Sequence, residues 1–129
     1  MPGRITHFEI YGDAPEELAA FYRELFGWRI DRAEGVGYWR IRTDAADRQN
    51  TSGGVTYRPA IPVQGWLQYI QVDSLDESLA TAERLGGRVL RERTAVPRTA
   101  WYAVAADPEG NVFAMWQPDP KAFPPFELD

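Results

Sequence analysis

Arg4-Ile5-Thr6-His7-Phe8-Glu9-Ile10-Tyr11 alternates in character from residue to residue, and Trp66-Leu67-Gln68-Tyr69-Ile70-Gln71-Val72-Asp73 does so again. A period of two marks a strand. His7, Glu9 and Tyr11 then share one face, and Phe8 and Ile10 share the other. Each run leads into a helix signal. Asp13 with Glu16 three residues on, and Pro15 between them, reads as a capping box; Ser74 with Glu77 reads as a second. Leu18, Phe21, Tyr22, Leu25 and Phe26 follow at helical spacing in the first half, and Leu75, Leu79, Ala82 and Leu85 in the second. The faces carrying Phe21, Leu25, Leu79 and Leu85 are expected to pack on the sheet. Gly27 ends the first helix and Gly86-Gly87 the second. Leu67 follows His7 by 60 residues (67 − 7), and the same offset separates Leu85 from Leu25 and Gly87 from Gly27. A fixed offset of this kind is the signature of an internal repeat.

Working outward, three further strands follow each helix. They are expected at 28–32, 38–42 and 55–58 in the first half, and at 88–93, 99–106 and 112–117 in the second. Asp107-Pro-Glu-Gly-Asn111 has turn chemistry. The stretch 43–52 reads as a polar loop, and Pro59 and Pro62 stiffen a linker. Each half is therefore strand–helix–strand–strand–strand. A lone unit of this kind covers one sheet face with its helix and leaves the other bare. Pairing two units lets the bare faces surround a shared cavity.

Composition removes many functions. The 129 residues suit one domain, here of two modules at about 4–58 and 66–117 with a Pro-rich tail, 118–129. No cysteine is present, which excludes disulfides, thiolate metal sites and Cys nucleophiles. His7 is the only histidine, so sites needing two imidazoles are excluded as well. Fourteen basic against nineteen acidic residues, net −5, disfavour nucleic-acid binding. Apolar runs are too short to span a membrane, and the chain does not open on a signal peptide. A cytoplasmic protein is expected. Glycine-rich nucleotide loops and a G-x-S-x-G nucleophile elbow do not occur. Aromatic residues make up 13% of the chain, which fits either a filled core or an aromatic-lined ligand pocket.

The stretch His7-Phe-Glu-Ile-x4-Pro15-Glu-x4-Phe21-Tyr22-x3-Phe26-Gly27-Trp28 resembles the vicinal oxygen chelate superfamily, which includes glyoxalases, bleomycin-resistance proteins and extradiol dioxygenases. Val72-Asp-Ser-Leu-Asp76, Leu85-Gly-Gly87 and Asp107-Pro-Glu-Gly-Asn-Val-Phe-Ala-Met-Trp-Gln117 carry the resemblance through the second half. It implies an α+β fold of two βαβββ modules, forming an open eight-stranded barrel-like sheet around a cavity, commonly in a homodimer. It also implies a divalent metal held by the first and last strands of each module. His7 matches the first ligand. Leu67 stands where a second His is usual, Ala114 where Glu is usual, and counting back from Gly53-Gly54 puts Tyr57 at the fourth position.

Leu67 and Ala114 offer no lone pair, so no cofactor is expected. The favoured function is metal-free binding of a small aromatic or apolar organic molecule. Its expected contacts are Tyr11, Trp39, Tyr57, Leu67, Tyr69, Gln71, Trp101, Ala114 and Trp116. The alternative is a lyase, isomerase or dioxygenase of the superfamily, either with a weak divalent ion at His7 and Glu9 or with these two doing acid–base chemistry unaided. His7 as a hydrogen-bonded interior residue is the plainer option. A homodimer is expected from open sheet edges and the apolar tail, Phe123 to Leu128.

Overall fold

The computed structural model describes residues 2–43, 52–63 and 65–124. Its elements are β1 (Arg4–Gly12), α1 (Pro15–Phe26), β2 (Arg29–Arg32), β3 (Tyr38–Arg42), β4 (Ser52–Tyr57), β5 (Trp66–Gln71), α2 (Leu75–Arg84), β6 (Arg88–Val96), β7 (Ala100–Ala106) and β8 (Val112–Pro118). Eight strands in open, mixed sheet with two helices make an α+β fold of repeated βαβββ order, in agreement with the sequence repeat. Ile5–Gln68 form one compact unit; the chain from Tyr69 onward, with the residues ahead of Ile5, forms the other.

In the first unit the strand order is β2-β3-β4-β1, with β1 and β4 parallel and the other pairs antiparallel. Phe8, Ile10, Ile30, Trp39, Ile41 and Val55 turn to the helix side and bury against Ala19, flanked by Leu18, Tyr22 and Trp28. Gly27, at φ 69°, closes α1 by donating its N–H to the Arg23 carbonyl at 2.9 Å. The start of α1 departs from expectation. Ala14 is the N-cap and caps with no side chain. Asp13 sits one residue too early and pairs with Arg58 Nε at 3.1 Å instead. Phe21 and Leu25 also depart from expectation, being 56% and 57% exposed. At about 100° per residue they lie roughly 200° and 240° around the helix from the buried Ala19, so the stripe that packs is Leu18, Ala19 and Tyr22.

The second unit has the order β5-β8-β7-β6, again with its first and last strands parallel. Leu75, Leu79, Ala103 and Met115 form its helix-side core. Here the expected cap is present: Ser74 Oγ accepts the Glu77 N–H at 3.2 Å, and Gln117 Oε1 accepts the Leu75 N–H at 2.7 Å. Leu79 packs as expected, whereas Leu85 stands past the end of α2 and is exposed. Asp107 organises the β7–β8 turn, accepting the Glu109 and Asn111 N–H groups at 2.9 Å each. The start of the tail is docked, with Arg98 N–H donating to the Ala122 carbonyl at 2.7 Å and Ala122 buried. Phe126 and Leu128 lie outside the described residues.

Candidate functional site

Strand register arranges the non-helix face of the first unit in ranks. His7 lies opposite Ser52, Ser52 opposite Arg42, and Arg42 opposite Arg29. One rank along come Glu9, Gly54, Arg40 and Asp31; beyond them Tyr11, Thr56 and Tyr38. Alternation along each strand keeps these residues on one side, away from the Phe8–Trp39 core.

Gly54 decides the geometry at the centre. A Cβ there would overlap the Tyr38 ring, so the missing side chain is the space that the phenol fills. Tyr38 thereby leans across the second rank to the first, where its Oη shares a 3.0 Å hydrogen bond with His7 Nε2. The Glu9 carboxylate is beside them, with Oε2 3.8 Å from His7 Nε2, and its Oε1 accepts the Tyr11 O–H at 2.7 Å. Two hydrogen-bonded pairs, His7 with Tyr38 and Glu9 with Tyr11, thus meet through the 3.8 Å imidazole–carboxylate contact on a half-buried face. Tyr11 also borders a hollow of about 420 Å³ beside the start of α1, with Phe21 and Arg58.

The other candidates divide by face. Trp66 stacks on Phe8 at 5.4 Å, so its neighbour Leu67 turns to the His7 side, where it is buried. In the second unit Tyr69 lies opposite Ala114 and Gln71 opposite Trp116, all on the non-helix face. Tyr69 meets Trp116 and Tyr102 edge-on or tilted, with centroids about 6 Å apart.

Three expected contacts are elsewhere. Trp39 is buried in the helix-side core. Tyr57 shares that side, edge-on to Trp39 at 6.4 Å, and is mostly exposed. Trp101 packs against the α2 core, under the Arg93 guanidinium at 4.1 Å, and donates Nε1–H to Asp119 at 2.9 Å. Odd–even alternation excludes all three from the non-helix face of their own units. The same rule singles out Tyr38, which sequence reasoning missed. The available signal was Gly54, a glycine inside a strand, which marks a close approach.

The register also corrects the fourth metal position. Glu9 lies opposite Gly54 as Tyr69 lies opposite Ala114, and both pairs are separated by the same 60 residues (69 − 9, 114 − 54). Ala114's counterpart is therefore Gly54, not Tyr57. His7, Leu67, Gly54 and Ala114 bring one lone-pair donor between them. This donor set does not fit a four-ligand divalent ion. Among the described residues, no group of three or more His, Asp or Glu side chains is placed to hold a metal.

Among known proteins, the chain is 29% identical over 123 residues to "Putative glyoxylase CFP32" of Mycobacterium tuberculosis, covering 92% of this chain and 46% of that protein. It is 28% identical over 130 residues to the anthracycline biosynthesis protein DnrV of Streptomyces peucetius, covering 90% and 47%. The chain thus spans about half the length of the curated relatives it matches. A crystal structure of a glyoxalase/bleomycin resistance protein/dioxygenase superfamily member from Vibrio splendidus superposes with TM-score 0.64 over 92% of this chain and 100% of that one, at 11% identity. The glyoxalase-like domain model matches residues 9–116, from the carboxylate beside His7 to the last strand. With its βαβββ repeat and first-strand histidine, the chain belongs to the glyoxalase-like domain family of the vicinal oxygen chelate superfamily.

Proposed function

We propose that this chain binds a small planar aromatic or otherwise apolar organic molecule without a metal ion. The observation that carries this reading is the donor set: of the four ligand positions the resemblance implies, only His7 has a lone pair, and Leu67, Gly54 and Ala114 offer none. Tyr11, Tyr38 and Leu67 are the contacts in the first module, with His7 and Glu9 as polar anchors. Tyr69, Gln71, Ala114 and Trp116 are the corresponding candidates in the second. Flat apolar walls edged with O–H and N–H groups suit planar ligands. A relative named for anthracycline biosynthesis supports the same class, since anthracyclines are planar polycyclic aromatics.

Tryptophan fluorescence titration against a panel of aromatic antibiotics and metabolites tests it. Saturable quenching by one or more compounds, weakened at least tenfold in Tyr38→Ala, is expected; flat titrations throughout overturn it. Stoichiometric divalent metal in the purified protein, lost on His7→Ala, overturns the metal-free part.

A second reading is favoured by the approach of both Tyr38 Oη and the Glu9 carboxylate to His7 Nε2. An imidazole so held can take a proton from a bound ligand, with the carboxylate stabilising the imidazolium formed. Deuterium exchange into a bound compound's acidic C–H, abolished in His7→Gln, would establish it.

A cytoplasmic homodimer that binds neither nucleic acid nor membrane completes the proposal. No helix among the described residues is long and apolar enough to cross a membrane. Exposed Phe21, Leu25 and Phe123 supply apolar surface for self-association. Light scattering on the full chain and on a chain ending at Gln117 tests both the dimer and the tail's part in it. A monomer at micromolar concentration refutes the dimer.

A further inference from the structure

On the same non-helix face, two strands away from His7, lies a hollow of about 300 Å³ lined by Arg29, Asp31, Arg32, Ala33, Arg40 and Arg42. Four guanidinium groups against one carboxylate is an unusual concentration in a chain whose net charge is −5. Its arrangement is costly for the free protein. Arg29 and Arg42 lie directly opposite each other across β2 and β3, a like-charge cross-strand pair that destabilises a sheet. The one acid is engaged at the edge, where Asp31 Oδ2 accepts from Arg29 Nε at 3.1 Å with both side chains about 70% exposed. An ion pair so exposed compensates little. Asp31 also stands directly opposite Arg40 in the register, so Arg42 is the arginine of this group with no carboxylate across from it. Arg32, which also lines the hollow, holds its guanidinium 4.9 Å over the Trp39 ring.

We propose that Arg40 and Arg42, with Arg29, form a binding site for an oxyanion, the carboxylate or phosphate group of a small molecule. Arginine forks match both groups bidentately. An anion between Arg29 and Arg42 offsets the repulsion between these two guanidinium groups. Arg40 follows Tyr38 by two residues on the same face, about 7 Å along the strand. A molecule held by its anionic end at Arg40 and Arg42 therefore extends along β3 toward the Tyr38 phenol and the His7 imidazole. This direction rests on the ligand reading of the His7 face, whereas anion binding at the arginines does not.

The test uses the full chain, titrated separately with inorganic phosphate and with malonate at low ionic strength, and read by calorimetry and by the shift in melting temperature. Saturable binding of either anion is expected, weakened about tenfold or more in Arg42→Gln and in Arg40→Gln and unchanged in Arg88→Gln, an exposed arginine outside the hollow. Binding of phosphate alone assigns a phosphate ester, of malonate alone a carboxylate, and of both an oxyanion site selective for neither. In the absence of anion, Arg42→Gln should melt at or above the wild-type temperature, because it removes a repulsive pair; a merely structural arginine would lower it. Absence of binding, or equal binding by Arg42→Gln and Arg88→Gln, overturns the proposal. Failure of the anion titrations leaves the aromatic panel unaffected, and a flat aromatic panel leaves the anion titrations unaffected.

Discussion

The two modules repeat one topology and differ on one face. In each, the first and last strands are parallel, and the helix-side residues form a small apolar core. On the opposite face the first module carries His7, Glu9, Tyr11, Tyr38, Arg40 and Arg42, while the second carries Tyr69, Ala114, Tyr102, Val104 and Trp116. Among these residues the imidazole, carboxylate and guanidinium groups lie in the first module, and aromatic and small residues take their place in the second. Leu67 and Ala114, at the second half's implied ligand positions, are buried apolar residues.

That contrast meets its largest test at equivalent first-strand positions. Leu67 is fully buried, and Leu67→Ala should cost about 2–5 kcal/mol in urea unfolding. His7 is partly exposed and shares a hydrogen bond with Tyr38, so His7→Ala should cost only about 1 kcal/mol. Equal costs would mean that the imidazole is a structural core residue. The equivalent last-strand positions come next. Gly54→Ala forces the Tyr38 ring aside, at about 1–3 kcal/mol, and removes the His7–Tyr38 bond, observable as a changed imidazole resonance. Ala114→Gly, the reverse exchange in the other module, should cost about 0.5–1 kcal/mol.

Helix entry differs between the modules by a smaller amount. Ser74→Ala should lose about 1 kcal/mol, while Ala14→Ser should gain a similar amount by supplying the cap that α1 lacks. Thermal melts of the two variants should shift in opposite directions.

The smallest effect is confined to the second module. The Asn111 side-chain amide, together with backbone N–H groups of the turn, holds the Asp107 carboxyl below its ordinary value of 3.8. Asp119 is lowered as well, chiefly by the Lys121 backbone N–H and then by the Trp101 indole. A lowered carboxyl contributes stability that is fully present above the unfolded value and is lost as pH falls through the folded one. Asn111→Ala should therefore move the Asp107 titration up toward 3.8, as read by carboxyl NMR, and make acid unfolding begin at slightly higher pH. An unmoved titration would mean that the backbone donors alone set it.

Much of this was legible from the chain. Period-two runs, glycine stops and the 60-residue offset specify two βαβββ modules, because alternation and capping are local and each residue's own chemistry decides them. The Ser74 cap and the Gly27 stop are cases where the local rule acts as written. Asp13 is one where it does not: a single residue of phase puts Ala14 at the cap. His7, Glu9 and Tyr11 on one face follow from alternation alone. Tyr38 does not, because its role depends on a glycine on a neighbouring strand.

By itself, then, the sequence determined the repeat, the faces of the first strand and the poverty of metal donors, since these depend on residue type and spacing along one strand. Tertiary structure decided what no single strand contains. Pairing register identified Gly54, not Tyr57, as the counterpart of Ala114 in the repeat, sent Trp39 and Trp101 to the helix side, and aligned Arg29 with Arg42. Register is fixed by hydrogen bonding and burial between segments distant in the chain, and a slip of one residue inverts every side chain's face.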